Sequence, residues 1–175
     1  MSGFTTNPTL FKQSGATDYL AHAKQLVGLT EKCISIDGPE AVVVGMPSHV
    51  YVKVLARGVR EVWGRTNLTA VCHERQLVPV EVLDPRGIIS VFAGRIMDTG
   101  RDPQPVIDAA KQTGAQVLWA SVREPYNIVQ AEHAGCDIVT VPPAILRKYL
   151  AWNGKPLEVV AAETIDQFER DSAWT

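Results

Sequence analysis

Seven short apolar runs, continuous rather than alternating, mark strands that are buried on both faces of a sheet. They are Gly3-Phe-Thr-Thr6, Cys33–Ile36, Val50–Val54, Asn67–Val71, Ile88–Phe92, Gln116–Ala120 and Asp137–Val141. Amphipathic segments separate several of them. Tyr19–Val27 carries Leu20, Ala23, Leu26 and Val27 at helical spacing, and Gln104–Thr113 has Pro105 in its first turn, where a missing donor does no harm. Glu124–Ala134 stops before Gly135, and further helices are expected from Pro142-Pro143 through Leu150 and from Pro156 to Arg170. Repeated strand–helix units imply parallel strands with right-handed crossovers, hence a (β/α) barrel or a doubly wound sheet. Two crossovers look short: Ile36 to Val50, punctuated by Gly38-Pro39 and Met46-Pro47, and Val71 to Ile88, interrupted by Pro79 and Pro85. A complete eight-stranded barrel takes roughly 200 residues or more. The 175 residues here, read as one domain over residues 1–175, fall short of that, and the pattern alone leaves both architectures open.

Composition removes several classes of function. A net charge of −2 with 21% charged residues aims no basic field at nucleic acid. No apolar run nears the ~18 residues of a membrane span, and the start has no secretory pattern. Three widely spaced cysteines, Cys33, Cys72 and Cys136, suit reduced thiols in a cytoplasm, and no CxxC or HxxxH spacing suggests a metal site. With no GxGxxG after a strand, a dinucleotide site is disfavoured.

Lys53 stands out, because it sits inside the β-branched and aromatic run Val50-Tyr-Val-Lys-Val54. A buried ammonium without a partner is costly, so such a lysine is paired, pointed at solvent, or kept neutral as an amine nucleophile. Other polar residues gather at or just beyond strand ends: Thr5-Thr6-Asn7, Thr69, Arg95 and Ser121-Val-Arg123. Both candidate architectures place their active sites on that edge.

In order along the chain, Gly3-Phe-Thr-Thr-Asn-Pro-Thr-Leu10 is similar to a GxTTNPSL opening, and Val50-Tyr-Val-Lys53-Val to a lysine strand. Asn67-Leu-Thr69, Ile89-Ser-Val-Phe-Ala-Gly-Arg-Ile96 and Leu118-Trp-Ala-Ser121-Val-Arg123 correspond to NLT, SPFVGRI and ASFR segments. Ala134–Pro142 looks like a final strand and Phe168–Asp171 like part of a closing helix. Together they resemble the transaldolase and fructose-6-phosphate aldolase family. In that family a strand ending in an acidic residue precedes TTNP, whereas this sequence opens at about TTNP, so that strand is expected to be missing. Asp37 stands where the family usually has Glu or Gln.

The resemblance implies an abbreviated (β/α) barrel of about seven parallel strands, carrying class-I aldolase or transaldolase chemistry on a dihydroxyacetone-type unit of a phosphorylated sugar. Lys53 forms an iminium ion with a ketose carbonyl, which removes the need for a metal or organic cofactor. Asp37 and Thr69 are the candidate proton-transfer residues; their structural alternatives are a turn residue and an ordinary strand residue. Asn67, on the same strand face as Thr69 by period two, is expected to hold substrate hydroxyls or the amine. Asn7 contacts substrate by resemblance and is otherwise a helix cap. Arg95 and Arg123, accompanied by Ser90 and Ser121, are read as a phosphate clamp, against surface ion pairing for each arginine alone. Asp98 and Asp102 are placed to engage Arg101 in a structural turn. The rival functions are a degenerate barrel that binds sugar phosphate or serves assembly, and a repurposed biosynthetic enzyme. An unpaired sheet edge makes a homo-oligomer the expected state.

Overall fold

Continuous runs of β-branched residues do form an all-parallel sheet. The computed structural model describes residues 3–37 and 46–172. The strands and helices in chain order are β1 (Gly3–Thr5), α1 (Pro8–Gln13), α2 (Tyr19–Gly28), β2 (Cys33–Asp37), β3 (Val50–Leu55), β4 (Glu61–Val62), β5 (Thr66–Val71), β6 (Glu81–Val82), β7 (Ile88–Val91), α3 (Ala93–Met97), α4 (Gln104–Gln112), β8 (Gln116–Trp119), α5 (Tyr126–His133), β9 (Ile138–Val139), α6 (Pro143–Trp152) and α7 (Leu157–Asp171). Seven strands pair in the order β1-β2-β3-β5-β7-β8-β9, every pair parallel. This is the abbreviated (β/α) barrel arrangement, with β1 and β9 at the two ends of the strand order.

Period two assigns the faces. Ile34, Ile36 and Val50 turn to one side and pack with Ala23 of α2, Tyr19, Leu26 and Val27. Ile88, Leu118 and Ala120 turn to the other, against Tyr51, Phe92 and Ile138. Each fully buried aliphatic side chain, such as Ile36, Val52 or Leu68, contributes about 1.5–3 kcal/mol of burial free energy. α4 buries Val106, Ile107 and Ala110 and packs on β7 and β8.

Two crossovers carry no helix longer than a turn among the described residues. Between β3 and β5 runs β4; between β5 and β7 run a 3-10 turn (Glu74–Gln76) and β6, which pairs in parallel with β4. These two-residue strands were not expected from the sequence, because each is too short to establish a period. The expected Gly38-Pro39 start of the β2–β3 crossover lies outside the described residues. In β5, Ala70 adopts φ 63°, and the register against β7 shifts between Leu68 and Val71, a bulge at the end of the strand.

Chain contacts separate two compact units, Met1–Val141 and Pro142–Thr175. The second contains α6 and α7, joined through Gly154 at φ 77°, with Lys155 paired to Glu163 and its amine 4.6 Å from the Trp152 ring centre. Among the described residues, no helix is long and apolar enough to cross a membrane.

Candidate active site

The register of the sheet puts Asp37, Lys53 and Asn67 side by side on three consecutive strands, with Asp37 opposite Lys53 and Lys53 opposite Asn67. By period two they share the face that carries Tyr51, Ile88 and Leu118. The Lys53 side chain is 9% exposed. Its Nζ donates to the Thr6 carbonyl and lies 3.9 Å from Asp37 Oδ1. Burial holds the amine below the ordinary lysine pKa, while the Asp37 carboxylate pulls it back up. Burial likewise raises the Asp37 carboxyl, against the opposing pull of Lys53 and of the Thr6 hydroxyl, which donates to Oδ2 at 3.2 Å. Lys53 is therefore neither a solvent lysine nor an unpartnered charge, and Asp37 faces it from the end of β2.

Asn67 is fully buried. Its Nδ2 donates to Ser35 Oγ at 3.1 Å and its Oδ1 accepts from Ser90 Oγ at 2.6 Å, a polar chain from β2 to β7 that passes beside Lys53. Ser90 thus belongs to the lysine layer through Asn67, rather than to the rim with the arginines. Its partner is 23 residues away, so nothing local signals the bond. Ser35 was not anticipated either, although it alternates with Asp37 and so shares its face. Asn67→Leu leaves both buried hydroxyls without their amide partner and is expected to cost about 2–3 kcal/mol by chemical denaturation. Thr69 is 4% exposed, and its hydroxyl finds no partner among the described residues.

At the rim, Gly94 brings α3 against the Ser121–Arg123 loop. A Cβ on it would lie 1.7 Å from the Ser121 carbonyl oxygen and 3.3 Å from Arg123 Cγ. Arg95 follows directly, exposed, with its guanidinium carbon 5.7 Å from the Phe92 ring centre. Ser121 adopts φ 65°, a left-handed conformation unusual for a residue with a Cβ. Arg123 is engaged by Asp98 at 2.6 Å; this exposed pair replaces the expected link between Asp98 and Arg101. Asp102 instead accepts from the Gln104 N–H at 2.9 Å near the start of α4. Asn127, fully buried and not singled out by sequence, accepts the Arg123 and Glu124 N–H groups at 2.8 and 3.3 Å and so fixes this loop. Asn7 is exposed and caps α1, accepting the Leu10 N–H at 2.8 Å.

Several known proteins are similar to this chain. A sequence model described as Transaldolase/Fructose-6-phosphate aldolase matches residues 64–175, beginning after the lysine strand. A probable transaldolase of Roseiflexus sp. (strain RS-1) is 32% identical over 173 residues, covering 85% of this chain and 79% of that protein. A probable transaldolase of Desulforudis audaxviator (strain MP104C) is 28% identical over 195 residues, covering 97% of this chain and 88% of its own length. One of Thermoplasma volcanium is 25% identical over 173 residues, covering 84% and 77%. The parallel sheet, the order of motifs along it and these matches agree: the chain belongs to the transaldolase/fructose-6-phosphate aldolase family.

Proposed function

We propose that this protein is a Schiff-base aldolase or transaldolase that cleaves or transfers a dihydroxyacetone-type unit of a phosphorylated sugar. The observation that carries the reading is the buried Lys53 amine, held beside Asp37 and depressed in pKa by its surroundings. In the proposed reaction the neutral amine adds to the ketose carbonyl, and loss of water gives an iminium ion. That ion accepts the electron pair of the breaking bond between carbons three and four, leaving an enamine and releasing an aldehyde. Capture of a second aldehyde by the enamine, then hydrolysis, returns the free amine. Asp37 takes and returns protons, and the unpartnered Thr69 hydroxyl is suited to hold a water in that path. Asn67 orients the amine and substrate hydroxyls. Arg95 and Arg123 hold the phosphate, which takes the place of the Asp98 carboxylate on Arg123.

The family match runs through both compact units, which supports taking residues 1–175 as one family domain. A homo-oligomer in a cytoplasmic setting belongs to the same proposal. It is supported by apolar side chains that α7 leaves exposed, Leu157 and Phe168 among them, and by free thiols at Cys33, Cys72 and Cys136.

The test is exchange of labelled carbon between a ketose phosphate and an aldose phosphate. Exchange that requires Lys53 supports the reading; tight ketose phosphate binding with neither exchange nor cleavage contradicts it. A pH series adds a second prediction. Trapping of the iminium by borohydride needs the free amine, so its rate rises with pH through the pKa of Lys53. Because burial lowers that pKa, the midpoint is expected below the ~10.4 of a free lysine. A midpoint at the free-lysine value would mean that the amine is solvated.

A further inference from the structure

Behind Thr6, on the side of the sheet that faces α2, lies a cavity of about 210 Å³ lined by Thr6, Phe11, Tyr19, His22 and Ile36 among others. Tyr19 stands at the start of α2, its ring 5.0 Å from that of Phe11 and packed on the cluster of Ala23, Ile34, Ile36 and Val50. Its hydroxyl is buried and closes no hydrogen bond among the described residues. Thr6 forms the partition: its side chain lines the cavity and donates to Asp37, and its carbonyl receives Lys53. A hydroxyl can accept one hydrogen bond while donating another, so Thr6 has room for a donor on the cavity side.

We infer that Tyr19 is a positioning residue of the Lys53 site, donating to the Thr6 hydroxyl directly or through one cavity water and thereby holding Asp37 as a carboxylate. This rests on the Schiff-base reading, in which Asp37 accepts protons. Burial alone drives Asp37 toward the neutral acid, which is no base; a chain of donors ending on Oδ2 opposes that drift. The phenol is suited to donate, because burial first and then the negative charge of Asp37 raise its pKa and keep its proton on. Among the described residues, the titratable groups around it are Asp37 of β2, Lys53 of β3 beyond Thr6, and His22 of its own helix across Phe11.

The experiment is Tyr19→Phe in the full chain, read by the pH profile of kcat and by borohydride trapping with dihydroxyacetone. Without the donor, Asp37 protonates more readily, so the acidic limb of kcat is expected to move up by about half a pH unit, with the adduct still formed. Simple loosening of the packing does the opposite, since water entering the site relieves the burial that raises the Asp37 carboxyl and moves that limb down. Thr6→Val, which cuts the chain in its middle, is expected to move the limb up as well, and adding Tyr19→Phe to it to move it no further. An acidic limb that stays put or falls in Tyr19→Phe, while the wild type traps normally, overturns the role of Tyr19 alone. Absence of any adduct from the wild type overturns the aldolase reading beneath it.

Discussion

Lys53→Met is expected to abolish the proposed carbon–carbon bond cleavage and exchange, by about 10³-fold or more, while the protein stays folded. Methionine is close to lysine in length and fills the same space without an amine, so the apolar wall of the site is preserved. In the proposed mechanism this removes the amine that forms the iminium, and among the described residues no second lysine stands in the layer of Asp37 and Asn67 to replace it. Substrate binding is expected to survive in part, because the arginines at the rim are untouched. Steady-state turnover, ligand affinity by calorimetry and far-UV circular dichroism separate these outcomes. Loss of activity together with loss of fold would make the lysine structural, and retained activity would remove it from the mechanism.

Gly94→Ala carries the largest expected structural effect. The added methyl group meets the Ser121 carbonyl oxygen at 1.7 Å, a backbone atom that a rotamer change cannot move aside. Either α3 shifts or the Ser121–Arg123 loop does. That loop is already held in a left-handed turn and pinned by Asn127. A cost of about 3 kcal/mol is expected, equivalent to a drop in Tm of roughly 6–12 °C for a chain of this size. The movement also displaces Arg95 and Arg123 relative to each other, so under the proposed phosphate clamp affinity for inorganic phosphate is expected to fall with stability. Differential scanning calorimetry and phosphate titration on one preparation test both; an unchanged Tm would contradict the close approach of α3 and that loop.

What the sequence revealed follows from how far each signal reaches along the chain. β2, β3, β5, β7 and β8 were legible because strands covered on both faces must be continuously apolar, and Lys53 was conspicuous for breaking such a run. The helices α2, α4 and α5 came from apolar spacing and from stops such as Gly135, which does adopt φ 68°. α1 and α3, of six and five residues, are too short for a period to show. The candidate site was legible as residues, with Asp37, Lys53 and Asn67 singled out, while their placement side by side comes from the strand register. It was illegible where a side chain chooses a distant partner. Ser90 bonds Asn67, Arg123 bonds Asp98 across 25 residues, and Tyr19 approaches Asp37 from another layer. Asn7 shows the remaining ambiguity in practice, since a polar residue before Pro8 reads equally as cap or ligand and here its oxygen caps α1.

The most direct measurement is peptide mass analysis after borohydride reduction of the protein with dihydroxyacetone or a ketose phosphate. The account predicts a single added three-carbon or sugar-phosphate mass on the peptide containing Lys53. An unmodified Lys53 peptide, or the same mass spread over exposed lysines, would contradict it.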